Sequence, residues 1–141
     1  MVKISVRSAS ILRDEDGATA VEFALILPLL IVVLCGILTY GGYFWVAHSV
    51  QQMANDSARA AVAGLDANER ETLARSALAE EIAGSGFDPS LTRLDIDQQA
   101  NRLQINVTYD ASHSMIYALN GIVALPNAQI RRSAATRLAG Y

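Results

Sequence analysis

Few side chains in this sequence have a type and spacing suited to catalysis. His48 and His113 are the only histidines, and neither stands in a metal-ligand spacing such as His-x-x-x-His. We interpret His48 as an interfacial residue and His113 as a loop residue. The acidic pairs are Glu80 with Glu81 and Asp95 with Asp97. Neighbouring acids on a helix and alternating acids on a strand are typical of solvated surfaces, so we predict no enzyme activity, no cofactor and no metal site.

The composition also excludes several kinds of partner. Of the 141 residues, 52% are hydrophobic and 18% are charged, which is apolar for a soluble domain of this size. The net charge is -3, and Lys3 is the only lysine. Because nucleic-acid binding needs clustered Lys or Arg, and only Arg131 and Arg132 adjoin each other, we predict no nucleic-acid partner. The single cysteine, Cys35, cannot form an intrachain disulfide.

The stretch "RDEDGATAVEFALILPLL", residues 13–30, places an acidic cluster before a long apolar run and one further acid, Glu22, just inside that run. Residues 23–47 contain no formal charge. At about 1.5 Å of helical rise per residue they are long enough to cross a hydrocarbon core of about 30 Å. A cleaved secretory signal is the first alternative. It fits poorly, because a signal has a shorter apolar run that ends at a small-x-small site.

Charge asymmetry predicts the orientation of this single membrane span. Lys3, Arg7 and Arg13 precede the span, whereas the first cation after it is Arg59. Positively charged flanks stay in the cytoplasm, so we predict a cytoplasmic N-terminus and a C-terminal domain on the outside, which is the periplasm if the host is a diderm bacterium. The far end of the span carries an aromatic cluster typical of the membrane interface: Tyr40, Tyr43, Phe44 and Trp45.

Two helices are predicted before any strand. The first continues past the membrane to Gly64, because the segment after the span is rich in alanine and free of proline. Asp66 and Glu69 form a variant capping box that opens the second helix. Its apolar positions recur at helical spacing: Leu73, Ala77, Leu78 and Ile82. Gly84 and Gly86 are predicted to end it.

The remaining sequence changes to a period of two. Residues 93–97 and 103–110 alternate apolar and polar side chains, which predicts a hairpin that turns at "QQAN". A third strand is predicted around Ile130 and Ala134, on a face interrupted by Arg132. The apolar segment "SMIYALNGIVALPN" forms either a short helix or a crossing loop. The predicted fold class is therefore α+β, with a small antiparallel sheet packed on the two helices.

The motif "GATAVEFALILP" resembles the processing site of type IV prepilins, and more narrowly that of the TadE-like pseudopilins of the tight-adherence (Tad, Flp-type) pilus system. In that family a prepilin peptidase cuts after a glycine, and glutamate followed by an aromatic residue occupies the fifth mature position. Here these positions are Gly17, Ala18, Glu22 and Phe23. The family pattern continues at Ala24, Pro28, Gly36 and Gly41. The family's acid and arginine near the exit glycine are absent, and Thr39 and Gly42 stand there instead.

The resemblance implies a pilin-like protein with three parts: a cytoplasmic leader (1–17) that is cleaved, a long helix (18–64), and a periplasmic α+β domain (65–141). It implies a minor pilin or pseudopilin that assembles through its apolar helix into, or at the base of, an adhesive pilus, which is extracellular. The implied partners are membrane lipid, prepilin peptidase, the assembly platform and other subunits, in homo- or hetero-oligomers. The alternative is a permanently anchored, uncleaved envelope binding or scaffolding protein.

Two interpretations are open for Glu22 and for the four residues that could affect helix packing. Pro28 permits a kink, and Gly36, Gly41 and Gly42 let helices approach closely, although all four are also tolerated as ordinary residues of a membrane helix. Glu22 either pairs with the new α-amine of Ala18, in its own or a neighbouring subunit, or merely complements the positive end of the helix dipole. The sequence does not decide between these interpretations.

Overall fold

The computed structural model describes residues 15–99 and 101–138. Within them the chain forms helix α1 (Glu15–Val62), helix α2 (Ala67–Ser85), and strands β1 (Thr92–Gln99), β2 (Arg102–Asp110) and β3 (Gln129–Arg137). Short 3₁₀ helices lie at Pro89–Leu91 and Met115–Leu119. The predicted α+β class is confirmed, with its long apolar N-terminal helix, second helix and small antiparallel sheet.

The chain divides into two units after Leu34. In its described part, the first unit is the beginning of α1. The second unit contains the end of α1 from Cys35 onward, helix α2 and the sheet. Most of the predicted leader, residues 1–14, lies outside the described residues, as does Ala100 in the predicted hairpin turn.

Helix α2 has well-formed caps at both ends. The Asp66 carboxylate accepts a hydrogen bond of 2.8 Å from the backbone N–H of Glu69. The Glu69 carboxylate in turn accepts one of 2.7 Å from the backbone N–H of Leu65, so the predicted capping box extends one residue further back. Gly86 ends the helix with a left-handed φ of 75°, which favours glycine. The prediction that Gly84 also ends α2 is wrong, because Gly84 lies inside the helix.

The three strands form one antiparallel sheet in the order β1-β2-β3. In the register, Ile96 is opposite Ile105, and Ile105 is opposite Ala134. Because side chains alternate along a strand, these three lie on the same face of the sheet. Arg132 lies on that face too, as the sequence indicated, since it pairs with Val107. The predicted third strand is confirmed.

One core joins the sheet to the second unit's two helices. Its fully buried side chains include Val50 and Met53 from α1 and Leu103, Ile105 and Val107 from β2. Helix α2 contributes Ala74, Leu78 and Ile82. The second unit, called the outer unit from here on, also contains a group of three aromatic rings. Trp45 stacks on Phe87 at 5.7 Å between ring centroids, and Phe87 contacts Tyr109 edge-on at 4.7 Å. The end of α1 is thus a structural part of the outer fold.

Candidate functional site: the exposed part of helix α1

The N-terminal part of α1 is apolar and exposed. Every residue from Ala18 to Leu34 is exposed in the chain, and large apolar side chains dominate the stretch. Within the described residues, α1 is the one helix long and apolar enough to cross a membrane. A helix that is apolar all round needs lipid or other protein around it. This helix therefore indicates a membrane anchor.

The four predicted processing residues lie together at the start of this helix. Gly17 and Ala18 fall in its first turn, and Glu22 and Phe23 follow in the next. We expected Gly17 to precede the helix, but α1 already begins at Glu15. The difference is small, because helix ends fray and their bounds shift by one or two residues. Alanine-rich sequence after Gly17 also favours extending the helix to this end.

Glu22 shares a helix face with Ala18. A spacing of four residues places the two about 6 Å apart along the axis. The Glu22 side chain is exposed. Among residues 15–99 and 101–138, no ion pair involves it.

The predicted packing residues occupy different surroundings. Pro28 lies inside α1, which continues through it as helix. A Cβ atom added at Gly36 or Gly41 would meet nothing within 4 Å, so these two glycines leave a smooth, open surface. A Cβ atom added at Gly42 would lie 3.0 Å from Cγ1 of Ile116. Gly42 therefore allows a close contact within this chain, whereas Gly36 and Gly41 make no such contact among the described residues.

TadE-like proteins often have an acid and an arginine at the positions of Thr39 and Gly42. In this chain the loop of residues 112–128 packs against α1 there. The Tyr40 hydroxyl donates a hydrogen bond of 2.7 Å to the backbone oxygen of Ala124. Thr39 is only 3% exposed, and its Oγ1 has no hydrogen-bond partner among the described residues. The contacts of Tyr40 and Gly42 hold the loop against α1. Where the family pattern suggests a salt bridge, this chain has apolar and hydroxyl contacts.

Tyr117 fixes the fold of the same loop. The single proton of its hydroxyl is within reach of two backbone oxygens, those of Asn127 at 2.9 Å and Pro126 at 3.1 Å, in a shared hydrogen bond. Partial burial raises the pKa of the Tyr117 phenol, with a smaller contribution from Tyr43. The phenol therefore stays protonated and keeps its donor at neutral pH.

Sequence reasoning missed the docking of the loop on α1. The loop contacts α1 through Gly42 with Ile116 and through Tyr40 with Ala124. Residues so far apart in the chain produce no periodic pattern in the local sequence from which their contact could be predicted. One signal was present in the sequence: residues 111–130 contain no Asp, Glu, Lys or Arg. An uncharged stretch of this length is uncommon outside a core or a membrane.

The candidate catalytic residues are not assembled into a site. His48 and His113 are both exposed and lie on different elements. Within the described ranges no group of three or more His, Cys, Asp or Glu side chains could hold a metal ion. An open groove of about 460 Å³ lies between α2 and β1, and it is lined mainly by Leu78, Ile82, Phe87 and Leu94. Its one charged lining residue, Arg75, forms an ion pair of 2.7 Å with Glu71.

Comparison with known protein families gives a match in the N-terminal part of the chain. The family model of TadE-like proteins matches residues 17–59, which begin at the predicted processing glycine and cover most of α1. The predicted resemblance to TadE-like proteins is confirmed over this range. No curated protein and no solved structure matched the chain.

Proposed function

Because residues 17–59 carry the TadE-like sequence pattern, we propose that this chain is a minor pilin or pseudopilin of a Tad-type pilus. In this proposal a prepilin peptidase removes residues 1–17 at the inner membrane. The mature chain then assembles through the apolar part of α1, into or at the base of the pilus, with the outer α+β unit in the periplasm. The role requires no catalytic group, cofactor or metal.

The observation that carries the proposal is the exposed apolar helix that has Gly17, Ala18 and Glu22 near its beginning. Its exposed large side chains include Leu25, Leu29 and Ile37. In the membrane, lipid covers this surface, and in a filament the helices of neighbouring subunits cover it. A helix that is apolar on every side suits both surroundings. Small residues at Gly36 and Gly41 allow close helix approach in the second.

Cleavage between Gly17 and Ala18 is the first prediction. Co-expression of the full chain with a prepilin peptidase should give a membrane-extracted protein whose intact mass starts at Ala18. Gly17→Trp should block cleavage almost completely, because a bulky side chain next to the scissile bond prevents close approach by the protease. The measurement is intact-mass spectrometry of the purified chain.

Gly36→Trp is the matched control for this variant. It places the same side chain on the same helix at a position with nothing within 4 Å, and it should be cleaved normally. Recovery of the intact leader from the unsubstituted chain would contradict the pseudopilin proposal. It would instead favour the alternative of an uncleaved, permanently anchored envelope protein.

Topology is the second prediction. A reporter that is active only in the periplasm should work when fused after residue 141, because the cations Lys3, Arg7 and Arg13 hold the N-terminus in the cytoplasm. The control is the same fusion with a reporter that is active only in the cytoplasm, which should be silent. The opposite pair of results would contradict both the orientation and the pilin proposal.

A further inference from the structure

The uncharged loop 112–128 exposes large apolar side chains to solvent. Met115 is 91% exposed and Ile122 is 62% exposed. Met115 belongs to the short 3₁₀ helix Met115–Leu119, and Ile122 follows in the next turn. Neither belongs to the core of the outer unit. Two large apolar side chains that protrude from one uncharged loop are more typical of an interaction surface than of a freely solvated one.

Two contacts fix the position of the loop along the axis of helix α1. Gly42 approaches Ile116, and Tyr40 binds the backbone of Ala124. Long side chains of a helix project toward its N-terminus, which is here the direction of the apolar anchor. The loop is therefore held beside Tyr40, which belongs to the aromatic cluster that the sequence predicts at the membrane interface.

The helix surface at this level is itself lipid-like. Ile37 and Leu38 are exposed just before Tyr40, and Phe44 is exposed just after it. From Val46 onward one face of the helix is buried in the outer unit, beginning with Val46 and Ala47, while the opposite face stays exposed, as at His48 and Gln52. The transition from lipid-facing helix to protein-covered helix thus occurs between residues 38 and 46, and the loop docks within that interval.

We propose that loop 112–128 is a second membrane-contact site, which inserts the side chains of Met115 and Ile122 into the headgroup region of the bilayer that α1 spans. The contact seats the outer unit on the membrane surface. The apolar face of an interfacial helix is buried about 5–10 Å into the boundary between headgroups and acyl chains. Asp110 and Arg131 delimit the uncharged stretch and stay on the aqueous side. The proposal depends on the anchoring of α1 and not on assembly of a pilus.

Lipid is favoured over a protein partner because the loop touches α1 at Tyr40 and Gly42, within the stretch of helix that exposes Ile37, Leu38 and Phe44. A protein that covered the loop in the membrane-anchored chain would have to enter the headgroup region beside α1. Lipid is already present there. The hydroxyl of Tyr40, at the same level, also suits the interface, where aromatic side chains with a polar end are enriched.

The test places an environment-sensitive fluorophore on single cysteines in the full chain, with Cys35→Ala as background. The protein is reconstituted in phosphatidylcholine vesicles that contain a lipid with a nitroxide quencher high on its acyl chain. A label at Met115→Cys should show blue-shifted emission and several-fold stronger quenching than a label at Leu65→Cys. Leu65 is the matched control, because it is apolar and 89% exposed but lies beyond the far end of α1.

A third label, at Ile31→Cys within the apolar helix, checks the anchoring separately. Quenching of the Ile31 label by a quencher deep in the acyl chain, together with a Met115 label that behaves like the Leu65 label, would overturn the proposal while leaving the anchor intact. An unquenched Ile31 label would overturn the anchor and the proposal together. Protection of the Met115 label only after other pilus subunits are added would identify a protein-docking face, and the proposal would be wrong. The fluorescence of Trp45, which stacks on Phe87, reports that each variant is folded.

Discussion

Glu22→Gln should leave membrane insertion and leader removal largely intact but should abolish co-purification with other pilus subunits. A charged side chain costs about 2.5–3.5 kcal/mol at the centre of a membrane span and less near its edge, so an acid in this position requires a partner. Under the proposed cleavage, the new α-amine of Ala18 would supply one, because an α-amine has a reference pKa near 8 and is mostly cationic at neutral pH. An amide cannot neutralise that ammonium group.

The geometry allows two sources for the amine. Within one chain, Ala18 and Glu22 are one helical turn apart on the same face. Between chains, the exposed Glu22 of one subunit is accessible to the amine of another. Only the second arrangement links subunits. Each 1.4 kcal/mol of lost pairing reduces association about tenfold, so an unneutralised charge in lipid should lower partner recovery by tenfold or more.

The competing interpretation assigns Glu22 only to the helix dipole. That interaction is worth about 0.3–1 kcal/mol, and its loss should barely change association. The measurement is co-purification of Glu22→Gln with other pilus subunits, after its cleavage has been verified by mass. Glu22→Asp keeps the charge and serves as the control, with recovery closer to that of the unsubstituted chain. Undiminished recovery with Glu22→Gln would show that the carboxylate has no part in assembly.

Local patterns predicted the secondary structure well where a single physical rule governed the residues. The alternation of β2 predicts its buried face because side chains of a strand alternate between core and solvent, and Leu103, Ile105 and Val107 are all buried. Asp66 was identifiable as a cap because the first N–H groups of a helix need an acceptor. The apolar span was recognisable from length and charge alone.

Packing inside helix α2 was predicted less well. Leu73 and Ala77 were expected on its core face and are only half-buried, whereas Ala74 is fully buried. The positions of alanines predict the buried face of a helix poorly, because alanine is small and common on every helix face. The close approach that makes Ala74 a core residue is a property of the neighbouring elements, which the local sequence does not encode. The contact between Ile116 and Gly42 could not be predicted from the local sequence for the same reason, because it depends on how distant elements pack together.

The roles of the glycines were also predicted well where they depend on local backbone conformation and less well where they depend on tertiary packing. Gly86 was predicted to end α2, and its φ of 75° gives the reason. Gly84 was misassigned, because a glycine within a helix costs only about 0.5–1 kcal/mol relative to alanine and does not have to end it. Gly64 was interpreted as a helix cap. Its surroundings give it a further constraint, since it is buried against the first turn of α2.

The second large effect is expected from Gly64→Ala, which should destabilise the outer unit by about 1–3 kcal/mol, as overpacking does in other cores. A Cβ atom at this position would lie 2.7 Å from the backbone nitrogen of Arg70 and 2.9 Å from its Cα. The Arg70 N–H is bonded to the backbone oxygen of Asp66 at 3.1 Å, so Arg70 cannot withdraw without disturbing the start of α2. The Arg70 side chain is also committed, because its Nε donates to the backbone oxygen of Gly64 at 3.1 Å.

Gly84→Ala is the matched control for this prediction, because it makes the same change at the other end of α2. A Cβ atom at Gly84 would meet nothing within 4 Å, and alanine favours the helix there by up to about 1 kcal/mol. The measurement is denaturant unfolding of the full chain in detergent, followed by the fluorescence of Trp45 as it separates from Phe87. The midpoint should fall for Gly64→Ala and rise slightly for Gly84→Ala. Equal midpoints for the two variants would show that the turn between α1 and α2 yields easily, and that Gly64 does not constrain how the helices join.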